Sequence, residues 1–182
     1  MTRRHRRQRG QSMVEFALVG LLLFVVVLGI MDWGYFFSGH ISATNAARSA
    51  ARYGSVNPSA WTNANPPSAN TIESKLVLTA IPATISNVDY TSSAPSYVTV
   101  SYLIPGIGGG TACGQYSAAS NAFVGAAKAG GGNYASTECV KPGTVVTVKA
   151  VYTYKFITPL LQAAFTPGTL QITTQASELI EG

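Results

Sequence analysis

Charge is scarce in this chain of 182 residues: Asp, Glu, Lys and Arg together make up 10% of it. Histidine occurs twice, as His5 in an N-terminal basic run and His40 beyond a long apolar stretch. The seven acids stand apart, as Glu15, Asp32, Glu73, Asp89, Glu138, Glu178 and Glu181. No paired carboxylates, metal-ligand spacing or nucleophile–base set emerges from them, so the sequence predicts no enzyme, no metal site and no cofactor. No Gly-Lys-Ser/Thr phosphate loop is present. Gly106-Ile107-Gly108-Gly109-Gly110 has a superficial likeness to a dinucleotide loop, but Thr111 takes the third glycine position and no suitable helix or acid follows. No proline precedes Pro58, which leaves the chain before it free to form one unbroken helix. Cysteine is confined to Cys113 and Cys139.

What the chain has instead is the stretch Gly10–Tyr53. Phe16–Met31 contains no charged or strongly polar side chain, and Glu15 and Asp32 are the only charges between Met13 and Phe37. About twenty apolar residues suffice to cross a bilayer core of roughly 30 Å as a helix. In lipid a lone segment satisfies its backbone polar groups only as a helix. Arg3, Arg4, Arg6, Arg7 and Arg9 crowd the N-terminal flank, whereas Arg48 and Arg52 are the first positive charges on the other side. The positive-inside bias therefore predicts a cytoplasmic N-terminus, a single pass, and an extracytoplasmic chain after about Phe37. Trp33, Tyr35, Phe36 and Phe37 suit the outer interface.

The net charge of +5 is set by that flank. Residues 1–10 carry five Arg and no acid, leaving seven Lys/Arg against seven Asp/Glu over residues 11–182. Such a balance, and a basic run without interleaved aromatics, argues against nucleic acid as a partner. A secretory signal has a shorter apolar core and a small-residue cut site, and a twin-arginine reading is interrupted by His5 and Gln8.

Glu15, at the start of the span, is a functional candidate by its position. Ser12-Met13-Val14-Glu15 also fits a capping box, with Ser12 as the N-cap. If a peptidase cut after Gly10, Gln11 would become the N-terminal residue and Glu15 the fifth. A neighbour's Glu15 carboxylate could then pair with the new amine and set the register between adjacent copies. A short basic leader, Gly at the cut, Glu at the fifth position and a long apolar helix together resemble the class III signal of type IV pilins. Phe16 after Glu15 is similar to the Glu-aromatic pair of the Flp and Tad (tight adherence) branch. Gly29-Ile30-Met31-Asp32-Trp33-Gly34, Thr44-Asn45-Ala46-Ala47-Arg48 and Ala50-Ala51-Arg52-Tyr53 resemble the TadE-like family of minor pilins. A weaker likeness to the family's closing strands returns at Val145–Val151, Tyr154–Leu160 and Leu170–Thr174.

Beyond the span, Gly39, Ala43, Ala47 and Ala51 recur every four residues, with Ala46 and Ala50 beside them. Small residues at that spacing admit either a second helix or the protein's own sheet. A helix from Ser12 to Tyr53 would be roughly 63 Å long, about half of it above the membrane, with Gly54 at its C′ position. Asn57–Asn70 reads as a loop, and Asn70-Thr71-Ile72-Glu73 as the cap of a short helix that Pro82 stops. The period then changes to two. Ile85–Tyr90 is a weak strand, Tyr97–Ile104 a better one and Thr144–Ile157 the strongest. Leu170, Ile172, Thr174 and Ala176 mark the last. Such alternation predicts an antiparallel sheet with one solvated face, its apolar face covered by the outer half of the long helix. Pro105–Cys139, with nine glycines, is expected to interrupt the sheet, with a short helical turn at Ser117–Lys128. Cys113 and Cys139 form a disulfide outside the cytoplasm or stand as two thiols; the compartment favours the disulfide.

The fold expected is α+β: a long N-terminal transmembrane helix continuing into a pilin-like head with a small antiparallel β-sheet. Its parts are a basic cytoplasmic leader (1–10), a transmembrane and stalk helix (11–54) and an extracytoplasmic head (55–182) with a Gly-rich disulfide loop (105–139). The resemblance implies a minor pilin or pseudopilin of a tight-adherence pilus in the bacterial inner membrane. It implies a processing site at Gly10 and Gln11, and assembly through Glu15 and Phe16. It further implies as partners a prepilin peptidase, major Flp-type and other minor pilins, and the pilus assembly machinery. The competing expectation is an uncleaved single-span envelope protein whose head is a binding or adhesion module.

Overall fold

The computed structural model describes residues 5–61, 68–78, 97–105, 110–117, 120, 122–164 and 169–182. A helix of 52 residues, α1 (His5–Val56), opens it and at 1.5 Å per residue is about 78 Å long. Arg and Gln are good helix formers, so helix continues upstream through the basic run, and Ser12 is an interior residue of α1 and not its N-cap. At the other end Asn57 N–H donates to Tyr53 O at 2.9 Å, and Pro58, which has no N–H, follows. Gly54 lies inside α1, so the expected C′ role is corrected. A Cβ there would stand 3.2 Å from Ile72 Cδ1 and 3.4 Å from Val146 Cγ2, so any larger residue would press on these two side chains.

The short helix α2 (Ile72–Leu78) crosses this end of α1. Its cap is Thr71: Ser74 N–H donates to Thr71 Oγ1 at 3.2 Å, and Thr71 N–H donates to Ser74 Oγ at 3.0 Å. Serine closes the box, which frees Glu73 to turn inward, where it is buried. The predicted stop at Pro82 and the weak strand Ile85–Tyr90 lie outside the described residues.

The remaining elements are β1 (Tyr97–Ile104), β2 (Thr111–Ser117), β3 (Ala122–Gly125), α3 (Ser136–Cys139), β4 (Val145–Lys155), α4 (Pro159–Ala164) and β5 (Thr169–Leu179). The strands form one antiparallel sheet in the order β3-β2-β1-β4-β5. Register follows the side-chain alternation: Val100 faces Val148 and Tyr102 faces Val146 across β1–β4, and Val148 faces Ala176 across β4–β5. All but the half-buried Ala176 are buried. Thr147 and Ser177 meet hydroxyl to hydroxyl at 2.8 Å on the opposite, exposed face.

Two expectations for the Gly-rich stretch are corrected. Thr111–Ser117 and Ala122–Gly125 extend the sheet as β2 and β3 where an interruption was expected, and a strand occupies the place of the helical turn predicted at Ser117–Lys128. The physical reason is pairing: β2 finds β1 through a register shift at Tyr102/Leu103, and β3 finds β2. At Gly125 a Cβ would lie 1.9 Å from Tyr134 O, so only glycine lets the following bend fold back onto the strand.

Candidate functional site: an apolar rod pinned to a head

From Gln11 to Met31 every side chain of α1 is exposed, Gly20 and Gly29 excepted as half-exposed. The segment is a candidate membrane span: its most apolar 18-residue window has a mean hydropathy of 2.8, and none of that window is covered by the rest of the protein. Phe16 is 79% exposed. Gly10 is helical, so the peptide bond to Gln11 lies within α1. Gln11 Nε2 donates to Glu15 Oε1 at 3.1 Å, one helical turn on. The structure thus brings together two of the residues singled out for processing and assembly, and leaves Phe16 pointing outward beside them.

The head takes hold of the rod at Asp32. This carboxylate is 1% exposed. Oδ1 accepts the Ile157 N–H at 3.0 Å, and Oδ2 accepts the Thr158 N–H at 3.0 Å and the Thr158 hydroxyl. Tyr154 OH donates to the Asp32 backbone carbonyl at 3.2 Å. A buried charge persists when its lone pairs are met by donors aimed at it, and here the donors sit at the junction of β4 and α4. Pro159 at the first position of α4 has no N–H to offer, so Asp32 is served by the two residues before it. The sequence marks Asp32 as a charge at the end of an apolar run and as part of the Gly29–Gly34 likeness, without naming what it binds. Its partners lie 125 and 126 positions away, which no local pattern reports.

Just above the clamp, Trp33, Tyr35 and Phe37 are exposed, while Phe36 turns inward and meets Tyr154 edge to face, ring centroids 5.5 Å apart. From Asp32 onward one stripe of α1 is covered: Asp32, Gly39, Ala43, Ala46, Ala47, Ala50, Ala51 and Gly54. The spacing of three and four keeps these residues on one face. The two readings of the small-residue stripe are thereby resolved in favour of the protein's own sheet, which β4, β5 and α2 bring against it.

Cys113 of β2 and Cys139 of α3 are joined as a disulfide with Cα atoms 5.6 Å apart, both buried. It ties the sheet's outer strands to the segment leading into β4. Outside it, Lys128 Nζ and Glu138 Oε2 form an ion pair at 2.7 Å, and the same carboxylate oxygen accepts the Ala135 N–H. The Lys128 hydrogen bond, then that N–H, hold the Glu138 carboxyl below its ordinary value. Within the core, burial and secondly the Glu73 carboxylate push the Tyr116 phenol up to about 12, and Tyr102 upward by the same causes. Trp61 covers both rings, 5.2 Å from Tyr116 and 6.2 Å from Tyr102.

No curated protein and no solved structure matches the chain. The model of the family described as TadE-like protein matches residues 10–52, the segment that holds Gly10, Glu15, the bare rod, Asp32 and the small-residue stripe from Gly39 to Ala51.

Proposed function

We propose that the protein is a membrane-anchored minor pilin or pseudopilin of a tight-adherence pilus, with a structural and not an enzymatic role. One observation carries the reading: a helix apolar on all sides projects from a head that, among the described residues, buries it only from Asp32 onward. The TadE-like match over the same segment supports it. In this reading the arginine-rich leader stays in the cytoplasm and the head lies outside. A prepilin peptidase cuts after Gly10, and the freed Gln11 amine pairs with the Glu15 carboxylate of a neighbouring pilin. Phe16 and the apolar residues beyond it then pack against other pilin helices in the assembly machinery.

Mass spectrometry of the protein purified from its native host tests the cut; the expected N-terminus is Gln11, and an intact leader in assembled pili would overturn it. Glu15→Ala is expected to abolish incorporation into pili while leaving the protein in the membrane.

A second reading, an uncleaved envelope protein with a binding head, draws on the Gln11–Glu15 hydrogen bond. That contact gives Glu15 a partner in its own uncut chain. Normal pilus assembly by Glu15→Ala would favour it.

A further inference from the structure

The head has an underside. β4 runs down α1: Val146 lies beside Gly54, Tyr154 beside Phe36, and Ile157 at Asp32. The descent from Gly54 to Asp32 is about 33 Å along the helix, and the strand from Val146 to Ile157 covers about 36 Å, so the two run side by side. The Asp32 clamp then fixes the β4–α4 junction at one level of the rod. A hydrocarbon core of roughly 30 Å takes about twenty helical residues. Counted from Met13 that span ends at Asp32, and counted from Phe16, where the uncharged run begins, it ends at Tyr35, so Asp32 lies within about one helical turn of its end. The clamp, and α4 with it, therefore falls at the lipid boundary.

The chemistry of the underside agrees with that depth. Ile157 is 53% exposed, Ala163 and Ala164 are exposed, and Leu161 is half-buried. No charged residue occurs between Lys155 and Glu178. Lys155, the last residue of β4 and two residues before Ile157, is exposed, at a level where an ammonium would meet lipid phosphates. Trp33, Tyr35 and Phe37 are exposed at the same level of α1, as rings that settle at the headgroup region.

We propose that Ile157–Ala164 is a foot by which the head sits on the outer surface of the bilayer that α1 spans. Its partner is the headgroup and upper acyl region of phospholipid. The foot is continuous with the span, so one hydrogen-bonded clamp sets both the depth of the rod and the seat of the head. The inference rests on the membrane-span reading above.

Full-length protein with its disulfide intact, reconstituted in phosphatidylethanolamine vesicles with a minority of phosphatidylglycerol, tests it. Single nitroxide labels are placed by Val26→Cys in the rod, Ile157→Cys and Ala163→Cys in the foot, and Asn133→Cys on the exposed far part of the head. Their collision rates with oxygen and with a water-soluble nickel chelate are compared. The oxygen-to-nickel ratio at Ile157 and Ala163 is expected to be several-fold above that at Asn133 and to approach that at Val26. A lipid-like ratio at Val26 with water-like ratios at Ile157 and Ala163 would overturn the foot and leave the span standing. Water-like ratios at all four would overturn both. Spin–spin broadening at Ile157 that disappears on dilution with unlabelled protein would mean that a second copy covers the foot, and would also overturn the proposal.

Discussion

Replacing Asp32 by alanine removes the acceptor of three hydrogen bonds at once. Hydrogen bonds to a charged group contribute about 1.5–3 kcal/mol each, and a stranded buried donor costs about 1–3 kcal/mol. The terms do not add, because the half-exposed Ile157–Thr158 backbone recovers water once the clamp opens. A net loss of about 3 kcal/mol in the local opening of the β4–α4 junction is the expected outcome. At 1.4 kcal/mol per decade that is roughly a hundredfold. Native-state hydrogen exchange in detergent micelles reads it directly, since the Ile157 and Thr158 amides are the two donors. Both are expected to exchange about a hundredfold faster in Asp32→Ala. Val146 and Val148, paired with β1 and β5 at the far end of the strand, should be unchanged. Asp32→Asn keeps one oxygen and the volume but presents an NH2 to the second donor, and should fall between the two. Exchange at Ile157 and Thr158 within about threefold of the unsubstituted protein in Asp32→Ala would refute the clamp.

Four further outcomes follow from the head. Reducing Cys113–Cys139, which closes a loop with a sequence separation of 26, is expected to lower the stability of the head by about 3.5 kcal/mol in the chain-entropy model, read from denaturant midpoints with and without reductant. Gly125→Ala drives a Cβ into the Tyr134 carbonyl and should destabilise by about 1–3 kcal/mol; an unchanged melting temperature would show that β3 yields freely. The Glu138 carboxyl has its pKa depressed below 4.5 in the folded state, so its contribution is present above pH 4.5 and lost as pH falls below that. Glu138→Gln should flatten the acid limb of melting temperature against pH. For Tyr116, raised from 10.0 to about 12, the unfolded chain gives up the phenolic proton first, so stability is lost as pH rises from 10 to 12. Tyr116→Phe is expected to lessen that alkaline loss.

The elements with a strong period were readable in advance. β1 matches its predicted bounds, and β4 and β5 lie where alternation placed them, because each has one buried face that its sequence carries as a period of two, with β4 and β5 laid against α1. β2 and β3 carried no such signal. Thr111–Ser117 contains Gly114 and Ala112, its inward residues are a cysteine and a tyrosine, and its identity as a strand comes from the edge of β1 that it pairs with. The cap of α2 was misplaced by one residue because Asn70, Thr71 and Ser74 all have capping side chains, and the choice among them depends on where Glu73 can be buried. The small-residue stripe was seen, but its partner was undetermined: alanine spacing specifies a close approach and not what approaches. In the sequence Asp32 is legible as one of two charges in the apolar stretch and as part of the Gly29–Gly34 likeness, but not as a clamp. Its role exists because β4 returns along the helix and brings Ile157 and Thr158 back to it.

The two halves of α1 are fitted to different surroundings. Leu21, Leu22, Leu23 and Phe24 point in four successive directions around the helix, and each is 60–69% exposed. A surface apolar all round has no preferred side and suits lipid or the middle of a helix bundle. Each such side chain moved into water would forgo about 1.5–3 kcal/mol, so the rod leaves a bilayer only for a place that covers it completely. The arginine cluster adds a second constraint. An arginine at the bilayer centre costs about 2.5–3.5 kcal/mol on the insertion scale, and the leader carries five. Drawing an intact leader through the membrane would therefore be opposed by about 12–18 kcal/mol if the five simply add. In the proposed pilin reading, outward transfer of the rod from lipid into a bundle of like helices would require the chain to be shortened to Gln11. In that reading, removal of the leader and the all-round apolarity of the rod would be two requirements of a single transfer.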